Sequence, residues 1–404
     1  MATKTRRISI LRPLIIIVSA LGLALILERF SFPAIPFTLS ANNTQFRVVY
    51  SELVGSESTL WTADPTEPQV NRRSILTISH AYGYGVVASV SPDGTKIAYG
   101  FLPESRRDAF ADGQLWVAGM NGQGSRLISG KMDLHFAPVW SPDGKRLLFK
   151  TVENLPSDYS SEIPAIEPGK PEQRPLDLDV KSSLMVASVD GPPAPKPIVS
   201  LKEQDTYPIG WSQDGKSAYF YTVEAVGSQA HQVNVATSVT QSLGQLASGT
   251  AWQVKLSPDR RKLLYLTVQP GQSGLLGTAW VFDPDQGQAS GVSAPQLGPI
   301  GAIWHPSGNT ITRNSGQSPS RPAQSLLDTT IADGTSQTLK ENLDATLSIP
   351  ISWSPDSTFL AVRQRSVVAS DQLNDLAIFD TRSGQTKEIK GSYAEFVGWT
   401  TTAR

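Results

Sequence analysis

Short hydrophobic runs separated by polar turns recur along the chain from residue 46 onward. In one example, apolar positions flank the tetrapeptide Ser91-Pro92-Asp93-Gly94 on both sides. Pro suits the fixed φ of a turn's second residue, Asp bonds back to the backbone, and Gly accepts a positive φ. The unit therefore predicts two antiparallel strands joined by a tight turn.

Copies of this turn segment indicate a repeat fold. The position of Ser91 recurs at residues 141, 212, 257, 305, 354 and 400, in steps of 50, 71, 45, 48, 49 and 46 residues. A period in the forties is typical of a four-stranded propeller blade. Five of the nine Trp residues immediately precede the repeated position, and we expect them to pack between neighbouring blades. They are Trp140, Trp211, Trp304, Trp353 and Trp399.

The two ends of the repeat region complement each other. Residues 46–51, 58–63 and 73–78 have the pattern of the second, third and fourth strands of a blade that lacks its inner strand. Residues 394–399 have the pattern of an inner strand alone. Pairing them would complete one blade and remove an exposed sheet edge. The sequence therefore predicts an all-β, seven-bladed β-propeller over residues 46–404, closed by N- and C-terminal segments that share one blade.

The Trp-Ser-Pro-Asp-Gly segments resemble the TolB-type, WD40-like β-propeller repeat of periplasmic TolB and of the prolyl-oligopeptidase-type peptidases. The resemblance covers about residues 46–399 and is specific for the fold. It implies a propeller and, by similarity to TolB-like proteins, a partner bound at one mouth of the axial channel. The repeat departs from the motif at Gln213, Arg260, Ser307 and Ser357, and the tryptophan of the fifth blade is shifted to Trp252.

The first 45 residues differ in composition from the repeats. Basic residues up to Arg12 precede an uncharged run at 13–27, and counting from residue 8 gives 20 residues, enough to cross a bilayer. The positive-inside bias predicts a cytoplasmic N-terminus, a signal-anchor or transmembrane helix within residues 1–29, and a linker at 30–45. The propeller would then lie on the periplasmic or extracellular side of the cell membrane. A cleaved signal, giving a secreted protein, and a buried helix of a soluble protein are the alternatives.

Composition excludes several classes of function. The chain has 35 Lys and Arg against 36 Asp and Glu, whereas a surface that binds nucleic acid needs an excess of basic residues. It has no Cys, which removes disulfides, thiolate nucleophiles and Cys-ligated metals. The four His residues are scattered, and no Gly-x-Ser-x-Gly elbow is present. We therefore predict no metal and no cofactor.

The predicted inner strands carry few charges. Only Lys255 and Glu395 are charged among the residues that precede the seven turns. Acid–base catalysis needs convergent titratable groups within reach of a substrate, so we expect the chain not to be an enzyme.

One step of the repeat is longer than the others because of an insert at residues 153–180. The insert has five Pro and seven acidic residues against two basic ones, which predicts an exposed loop of blade three. It is either a tolerated insertion or a contact for a partner.

Aromatic and polar residues precede several inner strands and should surround one mouth of the channel. Such a ring would suit a protein or peptide segment, although these residues could equally be ordinary loop residues. The candidate partner-binding residues are Tyr82, Tyr84, His135, Tyr207, Tyr393 and Glu395.

The sequence thus predicts a monomeric, membrane-tethered extracytoplasmic propeller that binds a protein or peptide partner in the cell envelope. The alternative is an envelope enzyme or a small-ligand sensor that uses the axial channel.

Overall fold

The computed structural model of the protein describes residues 46–106, 112–154, 180–202, 204–224, 226–272, 274–297, 300–315, 325–341, 346–366, 375–391 and 393–401. In these ranges the regular structure is formed by β-strands. They form seven antiparallel sheets, so the predicted seven-bladed all-β propeller is confirmed.

The strands follow one another in chain order. Blade one contributes β1 (Phe46–Val54), β2 (Glu57–Ala63) and β3 (Arg72–Ser79), and blade two contributes β4 (Val86–Val90), β5 (Lys96–Phe101), β6 (Gly113–Gly119) and β7 (Arg126–Met132). Blade three has β8 (Val139–Trp140), β9 (Arg146–Glu153), β10 (Lys181–Ser188) and β11 (Lys196–Lys202). Blade four has β12 (Asp205–Trp211), β13 (Ser217–Glu224), β14 (Gly227–Asn234) and β15 (Thr240–Ala247).

Blade five has β16 (Trp252–Leu256), β17 (Leu263–Gly271), β18 (Gly274–Asp283), β19 (Gln288–Gly291) and a short additional strand, β20 (Gln296–Leu297). Blade six has β21 (Ala302–Trp304), β22 (Thr310–Asn314), β23 (Leu326–Thr330) and β24 (Ser336–Lys340). Blade seven has β25 (Thr346–Trp353), β26 (Phe359–Ser366), β27 (Asp375–Asp380) and β28 (Thr386–Ile389), and β29 (Ala394–Thr401) follows.

The final strand closes the ring as predicted. β29 pairs with β1 in a sheet ordered β29-β1-β2-β3, with Phe46 opposite Thr401 and Val48 opposite Trp399. The inner strand β29 also contacts β4 of blade two, and β27 of blade seven contacts β29. The first and last blades therefore have a neighbour on each side, like the other five.

Seven apolar clusters hold the blades together, and each cluster is shared by two neighbouring blades. The repeated tryptophans lie in these clusters and also reach across the interface. The indole N–H of Trp140 donates to the carbonyl of Ser89 at 3.1 Å, and that of Trp211 donates to the carbonyl of Val139 at 3.1 Å. Packing between blades is thus the role of these residues. The hydrogen bonds satisfy the indoles of Trp140 and Trp211, whereas the buried indole nitrogen of Trp399 has no partner among the described residues.

The repeated turn is held by its own side chains. The Ser91 hydroxyl donates to Asp93 at 2.6 Å and accepts from the amide of Lys96 at 2.9 Å, while Asp93 accepts from the amide of Thr95. The fourth residue has a positive φ, as at Gly94 with +70°. Because both side chains close hydrogen bonds inside the turn, the Ser-Pro-Asp-Gly sequence recurs for a local reason. The same bonds recur around Ser141, Ser212, Ser257 and Ser354.

The strand directions define two faces of the propeller. The repeated turns after the inner strands lie on one face, which we call the turn face. The connections that lead into the inner strands lie on the opposite face, which we call the mouth face. Phe46 pairs with Thr401 at the end of β29, so the described chain begins at the turn face.

Two sequence-based assignments fall outside the described residues: the N-terminal helix and linker at 1–45, and nearly all of the insert at 153–180. Within the described ranges, no helix has the length and apolarity needed for a membrane span.

Ser357 occupies the turn position that Gly fills in other blades, and its φ is +59°. Left-handed backbone costs an L-residue about 1 kcal/mol, so Ser357→Gly is expected to raise the free energy of unfolding by roughly that amount. The matched control is Gly144→Ser, where φ is +65° and an added Cβ would meet nothing closer than Pro92 at 3.7 Å. Gly144→Ser should lower the free energy of unfolding by a similar amount, measured by urea denaturation. Equal stabilities for all three proteins would contradict the argument.

Candidate functional site at the mouth face and the channel wall

A buried charge network lies at the mouth face between blades three and four. The Lys150 ammonium, on β9, lies 3.2 Å from the Asp133 carboxylate and 2.6 Å from that of Asp205. Asp133 also accepts from the ring nitrogen Nδ1 of His135 at 2.6 Å, and the Tyr207 hydroxyl donates to Asp205 at 2.6 Å. We call these five residues the Lys150 network.

Aromatic rings enclose the ammonium of the network. Lys150 Nζ lies 4.6 Å from the ring centroid of Tyr207 and 5.4 Å from that of Phe136. Tyr207 in turn stacks on Tyr221 with 4.7 Å between ring centroids. Cation–π contacts strengthen when they are shielded from water, so the rings add to the attraction of the carboxylates.

The network fixes the protonation states of its lysine and its two aspartates. Burial opposes ionisation of Asp133, but His135 and Lys150 outweigh it and hold the pKa of Asp133 well below its usual range. Burial likewise opposes the charge on Lys150, but Asp205 and Asp133 outweigh it and raise the pKa of Lys150. The pKa of Asp205 is also lowered, since Lys150 outweighs the effect of burial. Lys150, Asp133 and Asp205 are therefore charged at neutral pH and form an ionic clamp between the two blades.

A second charge pair joins blades seven and one. Arg363 on β26 is buried, donates to the carbonyl of Ala394 at 3.0 Å, and forms an ion pair with Glu395 on β29. Arg363 and Lys150 occupy the same repeat position, ten residues after Trp353 and Trp140. Each reaches a carboxylate on the inner strand of the following blade.

The predicted mouth residues fall into four groups. His135 and Tyr207 belong to the Lys150 network, and Glu395 is paired with Arg363. Tyr84 packs on a small apolar cluster of Ala81, Leu102 and Leu134.

The remaining two mouth residues form the exposed group. Tyr82 is 81% exposed and Tyr393 is 55% exposed. They lie on the connections into β4 and β29, which are neighbouring inner strands in contact. These two tyrosines are the predicted residues whose rings are most available to a partner.

Sequence reasoning missed Lys150 and Arg363. Each is a single charged residue that directly follows an apolar run in a second strand, residues 147–149 and 360–362. A charge inside a buried strand needs a partner, so this signal could have identified both residues.

Lys255 differs from the charges described above. It lies on the inner strand β16 and is 7% exposed. Among the described residues no hydrogen bond or ion pair of its ammonium is found, and burial lowers the pKa of Lys255 to about 8. An unpaired buried ammonium is costly, and such groups occur preferentially at functional sites.

A metal site is not apparent in the described part of the chain, where no three His, Asp or Glu residues are grouped to hold an ion. In the Lys150 network, the ammonium itself occupies the space between the two carboxylates. A cation could bind these carboxylates only if Lys150 moved away.

No protein-family model matches the sequence, and no curated protein sequence matches it either. Solved structures do match. A prolyl endopeptidase is 11% identical with a TM-score of 0.55 and covers 95% of this chain, and an oligogalacturonate lyase in complex with manganese is 12% identical with a TM-score of 0.54, covering 83% of this chain and 90% of its own. TolB from Acinetobacter baumannii is 16% identical over 72% of this chain, with a TM-score of 0.45.

At such identities these similarities show the fold alone, and the number of blades comes from the seven sheets of this chain. The chain spans 63% of the TolB chain and 53% of the prolyl endopeptidase chain. The solved neighbours with TM-scores above 0.5 include peptidases and a lyase, and a shared fold does not by itself assign a function to this chain.

The Lys150 network gives a stability prediction. Lys150→Met leaves two carboxylates buried without their cation and is expected to cost about 3 to 5 kcal/mol of unfolding free energy, measured by urea denaturation. The matched control is Lys96→Met, because Lys96 forms an exposed ion pair with Asp190 at 3.4 Å. It should change stability by less than about 0.5 kcal/mol. Similar losses in both variants would show that Lys150 is not a buried clamp.

Lys255 predicts how the free energy of unfolding changes with pH. For a lysine in a salt bridge this free energy falls as the pH rises through the lysine's pKa, and for Lys255 it should rise. Its pKa is about 8 in the folded chain, below the usual value near 10.5, so the unfolded chain binds more protons between these values. The free energy of unfolding contributed by Lys255 therefore rises with pH across that window. Lys255→Met should be more stable than the wild type at pH 7, and its advantage should shrink by roughly 2 to 3 kcal/mol towards pH 10.5.

The control for this titration is Lys262→Met, because Lys262 is partly exposed and pairs with Asp283 at 3.6 Å. Its stability difference from the wild type should stay constant within about 0.5 kcal/mol over the same pH range. A constant difference for Lys255→Met as well would contradict the lowered pKa.

Proposed function

We propose that this chain is a membrane-tethered extracytoplasmic propeller that binds a protein or peptide partner at its mouth face. The observation that carries the proposal is the pair of exposed tyrosines, Tyr82 and Tyr393, on connections into adjacent inner strands. Tyrosine supplies a large contact area at a low cost in side-chain entropy, and it is enriched among the residues that dominate binding energy.

The surroundings of these tyrosines support recognition by a rigid surface. Tyr84 is fixed on an apolar cluster, and His135 and Tyr207 are held by the Lys150 network. Because the blades beneath them are packed, the surface needs little reorganisation on binding. An extended segment of a partner would meet the exposed rings first and the fixed polar groups beside them.

The direction of the chain supports the tethered arrangement. The predicted span and linker precede Phe46, which lies at the turn face. A membrane tether would thus attach to the face opposite the mouth, and the tyrosines would be directed away from the bilayer. The positive-inside pattern before residue 13 supports an N-terminus in the cytoplasm.

Recognition of a small ligand in the channel is the second candidate, and the observation that favours it is the unpaired ammonium of Lys255. The charged groups at the mouth face are already neutralised by one another, which favours binding over acid–base chemistry there.

The test replaces both exposed rings at once. The residue 46–404 propeller is used for quantitative affinity capture from envelope extracts, and Tyr82→Ala/Tyr393→Ala is expected to lose its specific partner at least tenfold, because each anchor removed costs about 1 to 2 kcal/mol. Circular dichroism and thermal denaturation should be unchanged, since neither ring is buried.

The matched control is Val70→Ala, which removes an 84% exposed apolar side chain from the connection between β2 and β3 on the turn face. It should retain capture within twofold. If the tyrosine variant captures the same proteins in the same amounts as the wild type, the proposed binding surface is wrong.

A further inference from the structure

Four lysine and arginine side chains are buried in the described part of the chain: Lys150, Lys255, Arg313 and Arg363. Three of them are satisfied within the protein. Lys150 and Arg363 pair with carboxylates, and Arg313 donates to the Thr329 hydroxyl at 2.9 Å. Lys255 is the exception within this group, because no described residue neutralises or hydrogen-bonds its ammonium.

The Lys255 ammonium reaches accessible space. In the described ranges, the fully buried side-chain nitrogens without a partner belong to Trp61, Arg260 and Trp399, and Lys255 Nζ is not among them. An unpaired nitrogen outside that set must touch space that water can enter. Because β16 is an innermost strand, the space beside it is the axial channel and its wall.

The repeat indicates the direction of the Lys255 side chain. Gly210 and Gly398 hold the same position in their inner strands, one residue before Trp211 and Trp399. A Cβ on Gly210 would meet Leu256 of the next blade, and one on Gly398 would meet Val90 of the next blade. Lys255 therefore extends along the innermost layer towards the inner strand of blade six.

The backbone beside Lys255 is also unusual. Gln253 has a φ of +51°, which is rare for a residue with a side chain, and the pairing of β16 with β17 is irregular between Trp252 and Lys255. Strained backbone that the fold retains occurs preferentially at binding sites. The strain and the unpaired charge lie within three residues of each other on one inner strand.

We propose that Lys255 is the anchor of a site on the channel wall for the carboxylate of a ligand with an apolar body. The charge matches a monoanion, because Lys255 is the one charged residue of the described inner strands without a partner, whereas Asp205 and Glu395 are already paired with Lys150 and Arg363. The apolar body is indicated by the half-buried Trp252, which packs against the apolar cluster between blades five and six, the direction in which Lys255 extends. A bound carboxylate would supply the counter-charge that the fold itself does not provide.

This site is separate from the proposed partner-binding surface of the mouth face. It rests on the second proposed function, recognition of a small ligand in the channel, and it specifies a carboxylate as the chemical class of that ligand. Tyr82 and Tyr393 lie on connections, whereas Lys255 lies on the inner strand of blade five. The two sites can therefore be tested independently.

The experiment measures binding of sodium butyrate by isothermal titration calorimetry at pH 7, with sodium chloride and sodium phosphate at matched ionic strength as comparisons. Saturable butyrate binding is expected, at least tenfold stronger than that of either other anion. Lys255→Met should weaken butyrate binding at least tenfold, and Lys255→Gln is a second variant that retains a polar end without the charge.

The matched control is Lys262→Met, which removes a lysine from the turn face and should keep the butyrate affinity within twofold. Tyr82→Ala/Tyr393→Ala should also leave it unchanged, so failure of the partner site and failure of the channel site are distinguishable. Butyrate binding no stronger than that of chloride or phosphate would overturn the proposal. Retention of full affinity in folded Lys255→Met and Lys255→Gln would overturn it as well.

Discussion

The pairing of β29 with β1 is the constraint on which the other features of the structure depend. An open array of seven sheets would leave an apolar face of blade one and an apolar face of blade seven in water. With β29 in place, Phe396 and Trp399 join the cluster shared with blade seven, and Val397 joins the cluster shared with blade two. One strand thus contributes to two interfaces at once, which couples the blades into a single ring. The ring in turn sets the positions of the channel and the mouth face.

Within the ring, one repeat position decides the character of several interfaces. The residue ten positions after the end of the inner strand is Lys150 in blade three, Tyr221 in blade four, Leu266 in blade five and Arg363 in blade seven. Where this residue is basic, it forms an ion pair with a carboxylate on the inner strand of the next blade. In blade five it is Leu266, which belongs to the apolar cluster between blades five and six. The basic residue at the interface of blades five and six is instead Lys255, on the inner strand. No described residue forms an ion pair or hydrogen bond with its ammonium.

Much of the fold could be predicted from the sequence because its determinants are local. The Ser91 and Asp93 side chains form hydrogen bonds with residues at most five positions away, so the sequence of each turn determines its own conformation. The regular spacing of the tryptophans reflects the same contact repeated between blades. Counting these units gave seven blades and the shared closing blade. The additional strand β20 was missed, since two residues paired to β18 leave no periodic signal.

The candidate site was predictable only in part, because its contacts join distant parts of the chain. His135, Tyr207 and Glu395 could be placed near the mouth because they lie close to the start of inner strands. Their partners could not be predicted, because these depend on how side chains of neighbouring blades are oriented. Lys150 and Asp205 are 55 residues apart, and no spacing rule links them. The sequence did indicate that Lys255 and Glu395 are charged inner-strand residues, but it missed Asp205, which belongs to β12. It could not show that Glu395 is paired with Arg363, whereas Lys255 has no partner among the described residues.

That difference between Glu395 and Lys255 has a physical consequence for function. A paired buried charge tightens an interface, and removing its partner costs several kcal/mol, so evolution of such a site towards ligand binding would weaken the ring. An unpaired buried charge already carries its desolvation cost, and a ligand of opposite charge recovers part of it on binding. We therefore propose that recognition at the mouth face depends on the exposed tyrosines, which do not hold the blades together. In the same proposal, recognition within the channel depends on Lys255, whose charge no described residue neutralises.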